Sequence, residues 1–236
     1  MASPTTVVFS EQLDGDKVLL SRSSYGFGPS AKMVYTDYDG PRRNLDLLVG
    51  PFIAPFGLSR YQGDNTKISV GLRIPQNSPL LAHIEAFDKK VMASFLKMAS
   101  DPKVNWNVGF MLTPDTVQRL WTPTIQSDAF GYMFRVAVRT TDQGVMRALM
   151  LQKVVNDNGQ VEISNESHRS TDELLELFKP QSTIYGLVRL KGISISKTAI
   201  STKWDAIQLI LDGSAAAKED LVDENLINPI PVELLH

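Results

Sequence analysis

The chain has no cysteine. That excludes disulfides, thiolate nucleophiles and thiolate metal sites, and it suits a reducing compartment. Histidine is scarce too. His83, His168 and His236 are the whole set, and no two are spaced as ligands on one helix face, so no metal site is expected from them. No apolar run approaches the ~20 residues that cross a bilayer. Met1 to Ser10 lacks the basic start and apolar stretch of a secretory signal. The expectation is a protein inside the cell with no membrane partner. Phosphate-cradling glycine patterns and a nucleophile elbow are also missing. Tyr25-Gly26-Phe27-Gly28 has two glycines, but no helix follows to receive a phosphate, so it reads as a turn. There is no internal repeat.

The chain has 236 residues, 43% of them hydrophobic and 21% charged, enough for one sizeable core. The net charge of −2 is unevenly placed. From Gly213 onward one base, Lys218, faces five acids, Glu219, Asp220, Asp223, Glu224 and Glu233, so the body before it is mildly basic. We therefore expect a domain over residues 1–212 and an acidic, then apolar, tail over 213–236. The acid pairs Asp14/Asp16 and Asp37/Asp39 each adjoin a glycine. Two carboxylates suit magnesium, but aspartate and glycine are also what tight turns require, and the turn is the simpler account. With no cofactor motif and no catalytic set, the chain reads as a binding protein and not an enzyme.

Short strands fit between the many breaks of the first 60 residues, at Thr6–Phe9, Val18–Ser21, Ala31–Thr36 and Asn44–Val49. Lys67–Ile74 alternates apolar and polar residues, the period of a half-buried strand. Ser78-Pro79 then starts a long helix, with Leu80, Ile84, Phe87, Val91, Phe95 and Met98 on one stripe. Thr113 caps a short helix to Leu120, and Ser170 or Thr171 caps another to Phe178. Tyr132–Thr140, Val145–Val155, Ile184–Ile195 and Lys203–Leu211 are strand-like, and Asn156-Asp157-Asn158-Gly159 turns the second of these into Gln160–Ser164. Residues 215–224 suit a helix. The class is mainly β, a barrel or sandwich with one long inserted helix, one or two short helices and a C-terminal tail.

Cations recur on the strand faces opposite the apolar set. Lys67 and Arg73 oppose Ile68 to Ile74; Arg135 and Arg139 oppose Phe134 to Val138; Tyr185, Arg189 and Lys191 share a set opposite Ile184 to Leu190. Arg147 and Lys153 share a face of their strand, with Leu149 and Leu151 between them. Residues two apart project about 7 Å apart on one side, comparable to phosphates along an extended nucleic-acid strand. A tyrosine among them can stack a base. Solvated faces of antiparallel strands carry the same residues, and that reading stays open.

Several segments then resemble a known family in their order. They are Gly50-Pro51-Phe52 through Pro55-Phe56-Gly57-Leu58, the strand Lys67–Ile74, the helix with Phe87-Asp88, Leu120-Trp121-Thr122-Pro123-Thr124-Ile125-Gln126 leading into Gly131–Arg139, and Ser201-Thr202-Lys203-Trp204 with Ile207-Gln208-Leu209-Ile210. Together they resemble the single-stranded DNA-binding proteins of short-tailed phages and their relatives in nucleocytoplasmic large DNA viruses. The resemblance implies an OB-type barrel with an acidic tail. It further implies sequence-independent binding of single-stranded DNA in viral DNA replication, recombination or repair, at a replication site in the host cell. Replication proteins or a second copy would be met through the tail. The phage tails end in an aromatic residue, whereas this chain ends Val232-Glu233-Leu234-Leu235-His236. The rival expectation is a non-enzymatic structural or interaction component, such as a virion protein, on the same scaffold.

Overall fold

In the computed structural model, which describes residues 4–26, 31–61, 64–101, 103–104, 106, 108–141, 143–156 and 158–213, the alternating apolar positions point inward. Ile68, Val70, Leu72 and Ile74 are buried on one strand, and Phe134, Val136 and Val138 on its neighbour. Among these residues the strands are β1 (Thr5–Val8), β2 (Val18–Gly26), β3 (Ala31–Tyr38), β4 (Asn44–Ala54), β5 (Leu58–Tyr61), β6 (Asp64–Ile74), β7 (Ile125–Asp128), β8 (Gly131–Val138), β9 (Leu149–Val155), β10 (Val161–Asn165), β11 (Ser182–Ser196) and β12 (Ile200–Asp212). The helices are α1 (Pro79–Ala99), α2 (Pro114–Leu120) and α3 (Thr171–Leu177). The molecule is thus mainly β, with one long helix and two short ones, as its periodicity predicts. The expected tail and its 215–224 helix lie outside the described residues.

Five strands pair in a closed cycle, β4–β6–β8–β12–β11 and back to β4. Two seams are narrow: β4 meets β6 at Ile53 and Arg73, and β12 meets β8, in parallel, at Asp205 and Ala137. The β11–β12 seam is long, running from Ile184–Leu211 to Ile195–Ile200. Beyond the cycle, β3 and β2 extend the sheet from β11, while β9 and then β10 extend it from β12. Gly192 marks the fork where β11 exchanges β4 for β3 as its neighbour. Its φ is 150°, and a Cβ there would lie 2.3 Å from the Val34 carbonyl oxygen, so only glycine fits.

Some boundaries differ from expectation for local reasons. β4 continues past Val49 because Gly50, at φ 103°, forms a bulge against Ile184, and the Gly50–Pro51 peptide is cis. β9 starts only at Leu149, since Met146 bridges back to Thr140 and the Thr141 N–H donates to the Val145 carbonyl. β5 and β7 have four residues each, too few for an alternation to show.

α1 lays its stripe on this core. Phe87 meets Trp204 at 5.9 Å between ring centroids, and Phe95 stacks on Trp106 at 4.7 Å. Outside the stripe, Lys90 reaches Asp14 at 2.8 Å and Asp16 at 2.7 Å. One ammonium therefore sits between the two carboxylates that the sequence pairs.

Asp88, buried on α1, accepts from the Thr124 backbone N–H and hydroxyl, both at 2.6 Å. Burial pushes its pKa up to about 6, against the opposing pull of the Thr124 hydrogen bonds. A carboxyl raised in the folded state favours folding fully when protonated and loses that advantage as pH rises from about 4 through 6. The loss is on the order of 3 kcal/mol for a shift of this size. We expect the stability difference between the native chain and Asp88→Asn, measured by urea unfolding, to change across pH 4–6 and stay flat above. Parallel stability curves for the two would refute this assignment.

Candidate nucleic-acid interface

The register of β6 and β8 sets the outward row. Ser69 pairs with Ala137, Gly71 with Arg135 and Arg73 with Met133. Ile68 pairs with Val138, so one step further Lys67 lies opposite Arg139. The Arg147 N–H donates to the Arg139 carbonyl at 2.8 Å, and Thr140 bridges Met146, so Arg147 stands opposite Arg139 on the other side. Lys67, Arg139 and Arg147 therefore occupy adjacent cross-strand positions, where side chains start about 5 Å apart. Arg135 is exposed on the same face. Ser69 and Ala137 make a low floor between Arg135 and the Lys67–Arg139 pair, while the Met133 side chain lies over Gly71.

Like charges placed side by side leave a trace on Lys203. Its pKa is lowered, first by burial and then by the Arg139 guanidinium. Arg139 also donates to Asp205 at 3.0 Å. Beside this group two tyrosines stack: Tyr25 and Tyr35 lie 4.1 Å apart between centroids at 20°, and Tyr35 is half exposed. Tyr35 and Lys203 both register with Gly192, which has no side chain to separate them. Burial, followed by the Tyr35 hydroxyl, pushes the Tyr25 pKa up to about 12, so Tyr25 stays neutral at ordinary pH.

The far end of the face carries a third aromatic. Phe130, 84% exposed, sits in the turn between β7 and β8. Its N–H donates to Asp128, which Arg73 grips at 2.7 and 3.3 Å. From Gly131 to Arg139 the strand spans about 27 Å, room for several nucleotides.

Not all nine predicted residues gather here. Lys67, Arg135, Arg139 and Arg147 do. Arg73 borders the face, but its guanidinium holds the Phe130 turn through Asp128. Arg189 corrects the expectation most clearly. It donates to Asp46 at 2.6 and 2.7 Å, and Asp46 is 2% exposed. That bidentate pair ties β11 to β4, with Thr5 of β1 at 3.4 Å. Lys153 and Tyr185 both turn to Asp212, at 3.6 and 3.2 Å, on the separate outer face where β9 pairs with β12. Lys191 is exposed at the β11 bulge, between Leu190 and Gly192. Sequence reasoning missed Tyr25, Tyr35, Lys203 and Phe130. The exposed phenylalanine beside Gly131 was the one available signal.

No protein-family model and no curated protein matches the chain. Among solved structures, the chain is similar to the single-stranded DNA-binding protein from bacteriophage Enc34 in complex with ssDNA, at 11% identity and a TM-score of 0.37, over 85% of this chain and 93% of that one. The same phage protein without the complex aligns at 10% identity and a TM-score of 0.37, over 92% and 97% of the two chains. Its C-terminal truncation aligns at 12% identity and a TM-score of 0.36, over 81% and 87%. Likenesses this remote assign neither a fold family nor a function.

Proposed function

We propose that the five-strand cycle is an OB-type barrel, and that the outer face of β6 and β8 binds single-stranded DNA without sequence preference, in viral DNA replication, recombination or repair. The observation that carries this reading is the side-by-side placement of Lys67, Arg139 and Arg147 next to the Tyr25–Tyr35 stack. Phosphates fit the cations, and the exposed rings at both ends offer π-faces that any base can meet. The low floor of Ser69 and Ala137 lets a strand lie close to the sheet.

Fluorescence anisotropy of a labelled oligo-dT with the full chain tests this. Affinity is expected to fall steeply with salt, because each neutralised phosphate releases bound counterions. No binding at low salt would overturn the proposal. Tyr35→Ala is expected to weaken binding by about 1–3 kcal/mol, the worth of one stacked base. Because the ring is half exposed, the thermal midpoint should barely move.

A further inference from the structure

Lys203 of β12 stands where the cation row meets the tyrosine stack. Its neighbour Trp204 packs inward against Phe87 and Phe134, so alternation turns Lys203 and Asp205 to the outer face. Asp205 is already engaged, since Arg139 donates to its two oxygens at 3.1 and 3.0 Å. Among the described residues no carboxylate pairs with Lys203. The side chain is partly buried, and the charge that acts on it is the Arg139 guanidinium. An amine so placed is a nucleophile. Partial loss of water and a nearby cation both favour its neutral form, which carries the free electron pair. Lys67, the other lysine of this face, is exposed. Tyr35 of β3 and Lys203 register with Gly192 from its two sides. Two strand spacings are about 10 Å, so a sugar beside a base stacked on Tyr35 comes within reach of the amine.

We propose that Lys203 captures abasic sites in the bound strand by forming a Schiff base with their sugar, an inference that rests on the nucleic-acid reading. A nucleotide that has lost its base opens its sugar to an aldehyde at C1′. The neutral amine adds to that carbon, and the carbonyl oxygen then leaves as water with the two amine protons. A C=N bond replaces the C=O bond, and no oxidant or further reactant is consumed. An intact nucleotide keeps C1′ bonded to its base and offers no carbonyl. The reaction therefore singles out damaged positions on a surface that otherwise binds any sequence.

Borohydride trapping with the full chain tests this. The probe is an oligo-dT carrying one abasic site, used at concentrations that saturate each chain by anisotropy. Reduction of the C=N bond should fix a covalent complex that intact oligo-dT does not give. Peptide mapping of the native chain should place the adduct on Lys203. Lys203→Arg keeps the positive charge but has no amine to form the bond, so the complex should be lost. Mapping to Lys67, or a complex that persists in Lys203→Arg, would overturn the proposal. Binding without trapping would overturn it too, and would leave the nucleic-acid reading standing. An abasic oligonucleotide that does not bind at low salt overturns both.

Discussion

Arg135→Glu with Arg147→Glu is expected to weaken oligo-dT binding about 100-fold at low salt, the sum of two charge-assisted contacts at ~1.5 kcal/mol each. The slope of log affinity against log salt should shrink by about 1.4, since each phosphate contact to a single strand contributes roughly 0.7. Both side chains are exposed and neither belongs to the core, so unfolding curves of the double variant should overlay those of the native chain. The paired readout separates a nucleic-acid site from an incidental basic face. Unchanged affinity and slope would leave the cation row as ordinary strand surface.

Asp46→Ala is expected to produce the largest loss of stability, about 3–5 kcal/mol, the cost of leaving one member of a buried ion pair without its partner. Asp46 is 2% exposed and accepts two hydrogen bonds from Arg189, whose pKa is raised first by that contact. Urea unfolding of Asp46→Ala against the native chain measures the loss. The double variant Asp46→Leu with Arg189→Met should recover most of it, because well-packed apolar residues replace such pairs with little penalty. Neither change touches the cation row, so the folded double variant should keep any affinity for oligo-dT. A loss under about 1 kcal/mol would show that water reaches the Arg189 guanidinium more freely than its geometry implies.

Much of the architecture was legible from local patterns. The apolar stripe of α1 is present as read, down to the Pro79 start, and α2 spans the same residues as the expected short helix. β6 and β8 carry the predicted inward faces because a period of two leaves each strand one way to bury its side chains. β5 and β7 were invisible, since four residues at a sheet margin need no alternation.

The candidate site was legible only in part, and the reason is electrostatic. A pattern shows that Arg139 and Arg189 both point outward from their strands, but not which carboxylate each will meet. Asp46 is 143 residues from Arg189 along the chain, and only the β4–β11 register brings the two together. That pairing makes Arg189 a structural tie, whereas Lys67 and Arg147 come to flank Arg139 through a different register. Tyr25 was read as part of a turn and Tyr35 as part of a short strand. Their stack depends on the β2–β3 pairing, and their nearness to Arg139 on the closing of the strand cycle.

Taken alone, the order of residues determined the strand periods, the helix starts and the inward sets, because hydrophobic burial acts on each segment's own spacing. Tertiary structure decided which carboxylate each outward cation meets, Asp46 for Arg189 and Asp205 for Arg139, and which of them stand beside aromatic rings. Charge pairing depends on distance in space, and neighbours across a sheet are set by register and not by position in the chain.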